Sequence, residues 1–223
     1  MAESVIGIWN LALLAAGGRG SVSSETDKGR EPDLCRLWYP LVRDSILKAA
    51  SWPCSRAYSR LGLLSTRSSA EALWTPADPS PTWLYAYAQP TDMLAPRYLT
   101  TYARFDRAKF NGSPCIMTNE AQAILHYSAR EDDVTNWDTG LENAVIHGLA
   151  SAMTMPLTGK RTLARDNREA ANETILLAQT EIANESDDHF EALPSWVQAR
   201  GYDQLPVATK FFWPYTSFAI GSS

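Results

Sequence analysis

The segment 83–94, Trp-Leu-Tyr-Ala-Tyr-Ala-Gln-Pro-Thr-Asp-Met-Leu, constrains the fold more than any other stretch of the chain. Trp83, Tyr85 and Tyr87 alternate with Leu84, Ala86 and Ala88, the period of two of a β-strand whose faces differ in bulk. Pro90 cannot donate to a ladder and ends the strand, and Asp92 can close the turn that follows through its own side chain. Three large aromatics on one strand face demand a broad surface to cover them, either the domain core or another chain. Nothing in the segment performs chemistry.

Helical signals flank this strand on both sides. Ser4 is placed to cap a helix over 4–16 that ends at Gly17-Gly18. Its apolar residues form two adjacent stripes, Ile6/Trp9/Leu13/Ala16 and Val5/Ile8/Ala12/Ala15, so most of its circumference must be covered. Pro32 suits the first turn of a second helix, 33–51, with Leu34, Leu37, Trp38, Leu41 and Val42 facing inward. Pro40 predicts a kink or restart in it, and Pro53 a stop. Asp138 caps a third helix over 138–155, whose inner face is Leu141, Ala144, Val145, Gly148, Leu149 and Ala152. Gly148 and Ala152 lie one turn apart and admit a close backbone, His147 lies off the stripe, in solvent or at an interface, and Pro156 with Gly159 ends the helix. A fourth helix, 160–184, carries a narrow seam of Ala164, Ala171, Ile175, Ala178 and Ile182.

Between the second and third helices the pattern is β. Residues 56–64 read as a strand, 65–81 as a Ser/Thr/Pro-rich loop, and 104–110 with 115–118 as a hairpin around Asn111-Gly112. A last strand, 122–129, puts Ile124 and His126 on one face and Leu125 and Tyr127 on the other, which makes His126 a strand-face residue rather than a ligand. The fold class expected is α+β. It is a helical bundle of about four helices with a small antiparallel β section inserted at 54–129, together spanning 1–185, followed by an extended C-terminal arm, 186–223. That arm holds Leu193-Pro-Ser-Trp-Val-Gln-Ala-Arg-Gly201 and Phe211-Phe-Trp-Pro-Tyr215, aromatics that are expensive to leave in water.

Composition narrows the function. With 45% hydrophobic and 20% charged residues over 223 positions the chain is an ordinary globular sequence. No apolar run approaches the roughly 18 residues that span a bilayer. The apolar N-terminus lacks the basic flank of an export signal, Glu3 being its only charge before Arg19, so the sequons at Asn172 and Asn184 read as chance. Cys35, Cys54 and Cys115 are odd in number and widely spaced, as expected of reduced, mostly buried thiols. Residues 1–115 carry 13 Lys+Arg against 10 Asp+Glu, and 116–223 carry 7 against 15, or +3 and −8 within the net −5. An acidic chain is a poor candidate for tight nucleic-acid binding. Glu131-Asp132-Asp133 reads as a solvated turn. No catalytic residue, metal ligand or cofactor site is assigned.

The order of these motifs resembles the tubular tail protein A, or head-to-tail adaptor (connector), family of short-tailed bacteriophages. The residues that carry it are Asn10-Leu-Ala-Leu-Leu-Ala-Ala-Gly-Gly18, the helix at 35–52, Tyr85-Ala-Tyr-Ala-Gln-Pro-Thr-Asp-Met-Leu94, His126-Tyr127, and Trp137-Asp138 opening the helix at 141–155. It covers about 5–185; Pro40 and the aromatic tail beyond Arg200 depart from it. The resemblance implies a non-enzymatic structural virion protein, assembled in the host bacterial cytoplasm into a ring, typically of twelve copies, in the tail neck. The ring joins the portal to the tail nozzle, and DNA passes through its lumen without sequence-specific binding. Interface residues expected in that role are Trp83, Tyr85, Tyr87, Trp196, Arg200, Phe211, Phe212, Trp213 and Tyr215. Two alternatives stand beside it: a tail-associated peptidoglycan or glycan hydrolase using Glu131, Asp133 and Glu142, and a DNA-binding packaging completion factor.

Overall fold

The structure, a computed structural model, describes residues 4–67, 75 and 78–185. Four α-helices and two antiparallel sheets make up this α+β chain segment. The helices are α1 (Val5–Ala15), α2 (Arg30–Ala49), α3 (Thr139–Thr158) and α4 (Arg161–Glu185). The strands are β1 (Arg56–Arg60), β2 (Leu63–Thr66), β3 (Tyr85–Ala88), β4 (Met93–Leu99), β5 (Phe105–Phe110), β6 (Ser113–Thr118) and β7 (Ile124–Ala129). None of the described helices is long and apolar enough to cross a membrane.

Helix α1 starts where its sequence says it should, with Ser4 Oγ accepting the Gly7 amide. It ends in a Schellman motif: Gly18 N donates to Leu13 O at 2.8 Å and Gly17 N to Leu14 O at 3.0 Å, with Gly17 at φ +77°. Asp138 Oδ1 accepts the Leu141 amide at 2.7 Å to open α3, and Gly159 closes it in the left-handed conformation. Helices α1, α2 and α4 each pack against α3. Their shared core includes Ile8, Leu13, Leu47, Leu141, Val145, Leu149 and Met153, all essentially without solvent exposure.

Helix α2 corrects the sequence reading twice. It continues past Pro40 without a restart, and Pro40, which has no N–H to offer Arg36 O, lies at an exposed position. Its buried stripe is Pro32, Cys35, Tyr39, Arg43, Ile46 and Leu47, while Leu37 and Leu41 are each 59% exposed. The stripe is rotated from the expected one, with Tyr39 and Arg43 turned inward. Tyr39 packs edge-on against Trp9, and Arg43 lies over Tyr39 and pairs with Asp44 and Asp132. Pro156 likewise does not end α3, which continues to Thr158.

The β section also differs in detail. The expected strand 56–64 is two strands in different sheets, one ordered β1-β7-β4 and the other β2-β3-β6-β5. The chain crosses between them at Leu61-Gly62, where Leu61 N donates to Ala123 O and Ala88 N to Gly62 O. Strand β4 was not anticipated. It lies at a sheet edge with its register shifted around Pro96, the setting in which a strand tolerates proline. The β5–β6 hairpin forms on Asn111 and Gly112, both at positive φ (48° and 80°), as a two-residue turn requires. Side chains from both sheets, among them Tyr87, Ile116, Leu99, Leu125 and Tyr127, meet in one apolar cluster.

Two arginines join the sheet β1-β7-β4 to the end of α2 and the residues that follow it. Arg97 of β4 donates to Lys48 O (3.1 Å), Ala50 O (2.5 Å) and Ser128 Oγ (2.9 Å), and Arg56 of β1 to Ser51 O (3.1 Å). They place positive charge where the helix leaves its last carbonyls unpaired. Burial lowers the Arg97 pKa from its usual value. A second link is ionic: Asp44 of α2 bridges Arg43 and Arg130, at 2.9 and 2.7 Å.

Candidate interaction surfaces

The aromatic strand does not present its three rings to one side. Tyr87 is 3% exposed, and its hydroxyl donates to Glu120 O while accepting the Gln122 amide, both at 2.9 Å. Tyr85 is half-buried beside it, in the cluster between the sheets. Trp83 lies before the strand begins and packs instead with Ala86, Cys115 and Met117, so the alternation breaks at Leu84. Asp92 closes no turn through its carboxylate; that group accepts the Tyr127 hydroxyl at 3.2 Å, while Met93 N donates to Pro90 O. Trp196, Arg200, Phe211, Phe212, Trp213 and Tyr215 lie outside the described residues.

A different aromatic surface is built on the sheet β1-β7-β4. Register pairs Tyr58 and Tyr98 with His126 from either side. The rings form a row: Tyr58 to His126 at 5.8 Å, His126 to Tyr98 at 4.5 Å, and Tyr98 to Tyr102 at 5.2 Å. Tyr58 is 76% exposed and Tyr102 50%. His126 is therefore a strand-face residue, and its Nε2 lies 3.1 Å from Thr100 Oγ1. Beyond Tyr98 and Tyr102 the row opens into a shallow cleft of about 580 Å³ bordered by Trp83, Arg104 and Phe105. Strands β1, β4 and β7 contain Arg56, Arg60 and Arg97 and no carboxylate, in a chain of net charge −5. Tyr, Trp and Arg are the residue types that anchor interfaces. The sequence signal for Tyr58 was available in Arg56-Ala-Tyr-Ser-Arg60, where large polar groups alternate with small ones; Tyr98 and Tyr102 join it only through strand pairing.

The helices offer a second, separate surface. Gly148 lets α2 approach α3 closely, since a Cβ there would sit 3.0 Å from both Ile46 and Val42 side chains. Beside that contact a groove of about 480 Å³ runs between α2 and α4, floored by Gly148, Ser151 and Ala152 of α3. Leu41 forms part of its rim, and Leu11 and Leu14 of α1 stand exposed on another face.

The candidate chemical groups are engaged structurally. Glu131 Oε1 accepts the Asp133 amide, and Asp132 pairs with Arg43. Asp133 accepts from both the hydroxyl and the amide of Thr135, which holds its carboxyl below the usual range, the opposite of what a general acid needs. Glu142 is buried in the first turn of α3. All three cysteines are free, and burial pushes the Cys35 and Cys54 thiols up to about 11, away from nucleophilic thiolate character. Among the described residues no group of three or more His, Cys, Asp or Glu is placed to hold a metal ion. His147 is half-buried, its Nδ1 3.1 Å from Oδ1 of the buried Asn167.

No protein-family model matches the chain, and comparison with curated proteins finds no match.

Proposed function

We propose that this chain is a structural virion protein, a helical-bundle head-to-tail adaptor whose copies form a ring, of about twelve, between portal and tail nozzle. The β section is its inserted element, and residues 186–223 are an arm whose Trp196, Arg200, Phe211, Phe212, Trp213 and Tyr215 anchor it to the portal or a neighbouring copy. DNA passes through the lumen without being read. One observation supports this beyond the order of the sequence motifs: large apolar and aromatic groups are exposed on more than one part of the surface, among them Leu11 and Leu14 of α1, Leu37 and Leu41 of α2 and the Tyr58–His126–Tyr98–Tyr102 row of the sheet. A ring subunit needs unlike faces for its neighbours, and a neck protein needs one more for the next component.

Negative-stain imaging of the purified protein, alone and mixed with portal, tests the proposal. Rings in either setting are the expected result, and a monomer in both refutes it. Removing residues 202–223 without effect on ring and portal assembly refutes the role given to the arm.

A further inference from the structure

We infer that neighbouring copies join through an ionic contact between the edge strand β1 of one copy and the outer flank of α4 of the next. The inference rests on the adaptor reading and specifies its subunit contact. Strand β1 reads Arg56-Ala-Tyr-Ser-Arg60, and Arg56, Tyr58 and Arg60, at alternate positions, stand on one exposed face. The strand is outermost in the order β1-β7-β4, so Tyr58, 76% exposed, meets His126 on its inner side and no further strand on its outer one. Arg56 spends its Nε on Ser51 O, and Arg60 joins no ion pair among the described residues. The two arginines leave the backbone about 13 Å apart, four residues of extended chain, with the ring midway.

Helix α4 carries the matching set. Glu173, Leu177 and Glu181 follow one another at i, i+4 and i+8 along one flank, and all three are exposed, Leu177 at 59%. Eight residues of helix set the two glutamates about 12 Å apart, again with the apolar side chain midway. Neither glutamate joins an ion pair among the described residues. From Glu173 to its end α4 holds three glutamates and no Lys or Arg, although a helix dipole favours cations toward that end. The flank also points away from its own β1. Gln179 donates to Ala49 O and so marks the side of α4 that faces α2. Glu173, Leu177 and Glu181 lie roughly 120–160° around the helix from that side, away from α2 and from the sheet that Arg97 ties to the end of α2. Charge complementarity then selects a second copy. Chains at −5 repel one another unless the meeting faces carry opposite charge. Here every copy offers both halves, an arginine–ring–arginine set and a glutamate–leucine–glutamate set at the same spacing. Because the two patches differ, the contact is heterologous and repeats from copy to copy until the rotation closes a ring. It takes the β1 end of the aromatic row and leaves Tyr98 and Tyr102 open at the other.

The test is charge reversal in the full-length chain, read by sedimentation velocity, with circular dichroism melting to confirm that each variant folds. Arg60→Glu alone, and Glu173→Lys with Glu181→Lys together, are each expected to weaken self-association at least tenfold. Lys160→Glu changes the net charge as Arg60→Glu does and should leave association unchanged. Rescue decides the matter. Arg60→Glu combined with either Glu173→Lys or Glu181→Lys should, in one of the two pairings, restore association to within threefold of wild type, and the pairing that works fixes the direction in which the helix crosses the strand. Wild-type rings that persist in either reversal, or that are lost and restored by neither pairing, overturn this contact and leave the adaptor standing. A loss in Lys160→Glu as large as in Arg60→Glu makes net charge the cause and overturns the contact as well. A wild-type chain that stays monomeric even with portal overturns the contact and the adaptor together.

Discussion

Replacing Asn167 with leucine should destabilise the fold by about 2–4 kcal/mol, although the residue lies on an outwardly polar helix. Asn167 is 6% exposed and joins three helices. Its Nδ2 donates to Ala15 O of α1 (3.1 Å) and Leu163 O of α4 (3.0 Å), and its Oδ1 accepts from His147 Nδ1 of α3 (3.1 Å). The two donations fix the amide orientation, which in turn makes His147 the donor. The last four carbonyls of α1 are then all satisfied: Ala12 O by Ala16 N, Leu13 O by Gly18 N, Leu14 O by Gly17 N, and Ala15 O by a side chain 152 positions away. Leucine keeps the branched outline of the side chain, with bulkier methyl groups, but removes three hydrogen bonds, each worth roughly 0.5–1.5 kcal/mol net, and leaves buried partners unpaired. In a chain of this size that corresponds to a midpoint lowered by about 5–12 °C. Urea unfolding followed by tryptophan fluorescence measures it, with Thr162→Leu, at an exposed site on the same helix, expected to stay within about 0.5 kcal/mol. An Asn167→Leu variant as stable as that control would refute the reasoning.

Three other outcomes follow from the same geometry. Arg97→Ala should lose about 2–4 kcal/mol, because charge-assisted bonds to Lys48 O, Ala50 O and Ser128 Oγ disappear together; Arg97→Lys should recover less than half in the same urea titration, lacking the fork that reaches all three. Stability should fall as pH rises above 9. Burial holds the Cys35 and Cys54 thiols near 11 and the Tyr39 phenol near 12, against 9.0 and 10.0 when unfolded, so unfolding releases protons in the window from 9 to 12. The slope, at most about 1.4 kcal/mol per pH unit for each group, should be shallower by one group in Cys35→Ala, and an unchanged alkaline slope in that variant would count against the assignment. Tyr58→Ala should change stability by less than about 0.5 kcal/mol, the residue being a surface group; under the proposed adaptor role it should also weaken binding of a tail nozzle protein at least tenfold by surface plasmon resonance, and equal binding by mutant and wild type would remove the aromatic row from that proposed contact.

How much of this was readable in the sequence depended on whether the determining interaction was local. The caps at Ser4 and Asp138, the Asn111-Gly112 turn and the period-two burial of Leu125 and Tyr127 are settled by residues within a few positions of one another, and each forms as expected. The inward face of α2 is not local. A stripe containing Tyr39 and Arg43 looks too polar to bury until Trp9 and Asp132 arrive from elsewhere in the chain to join the neighbouring Asp44, while Leu37 and Leu41 are left outside. The break at Gly62 is invisible to periodicity because both halves are extended; it exists because β1 finds β7 and β2 finds β3. The candidate surface was missed for the same reason. Tyr58, Tyr98 and His126 are far apart in sequence and become neighbours through register alone, while Tyr87, conspicuous in the sequence, is consumed by the core.

The misread leucines matter for the proposed role. A core that buries Arg43 and Tyr39 in place of Leu37 and Leu41 gives up apolar burial worth roughly 1.5–3 kcal/mol per leucine side chain. Burying the Arg43 charge is tolerable only with partners, and those partners, Asp44 and Asp132, also hold the β7–α3 connection against α2. The exchange therefore does two things at once: it fixes the sheet that bears the aromatic row to the helix layer, and it leaves leucines outward where another surface can cover them. Arg97 reinforces the first effect by gripping carbonyls at the end of α2, and Arg56 holds Ser51 O just beyond it. For a subunit that must present one face to its neighbours and another to the next component, such clamps keep the two faces in register with each other. A purely apolar α2 stripe would secure the helices more cheaply but would leave the sheet without its ionic ties and the outer surface without its leucines.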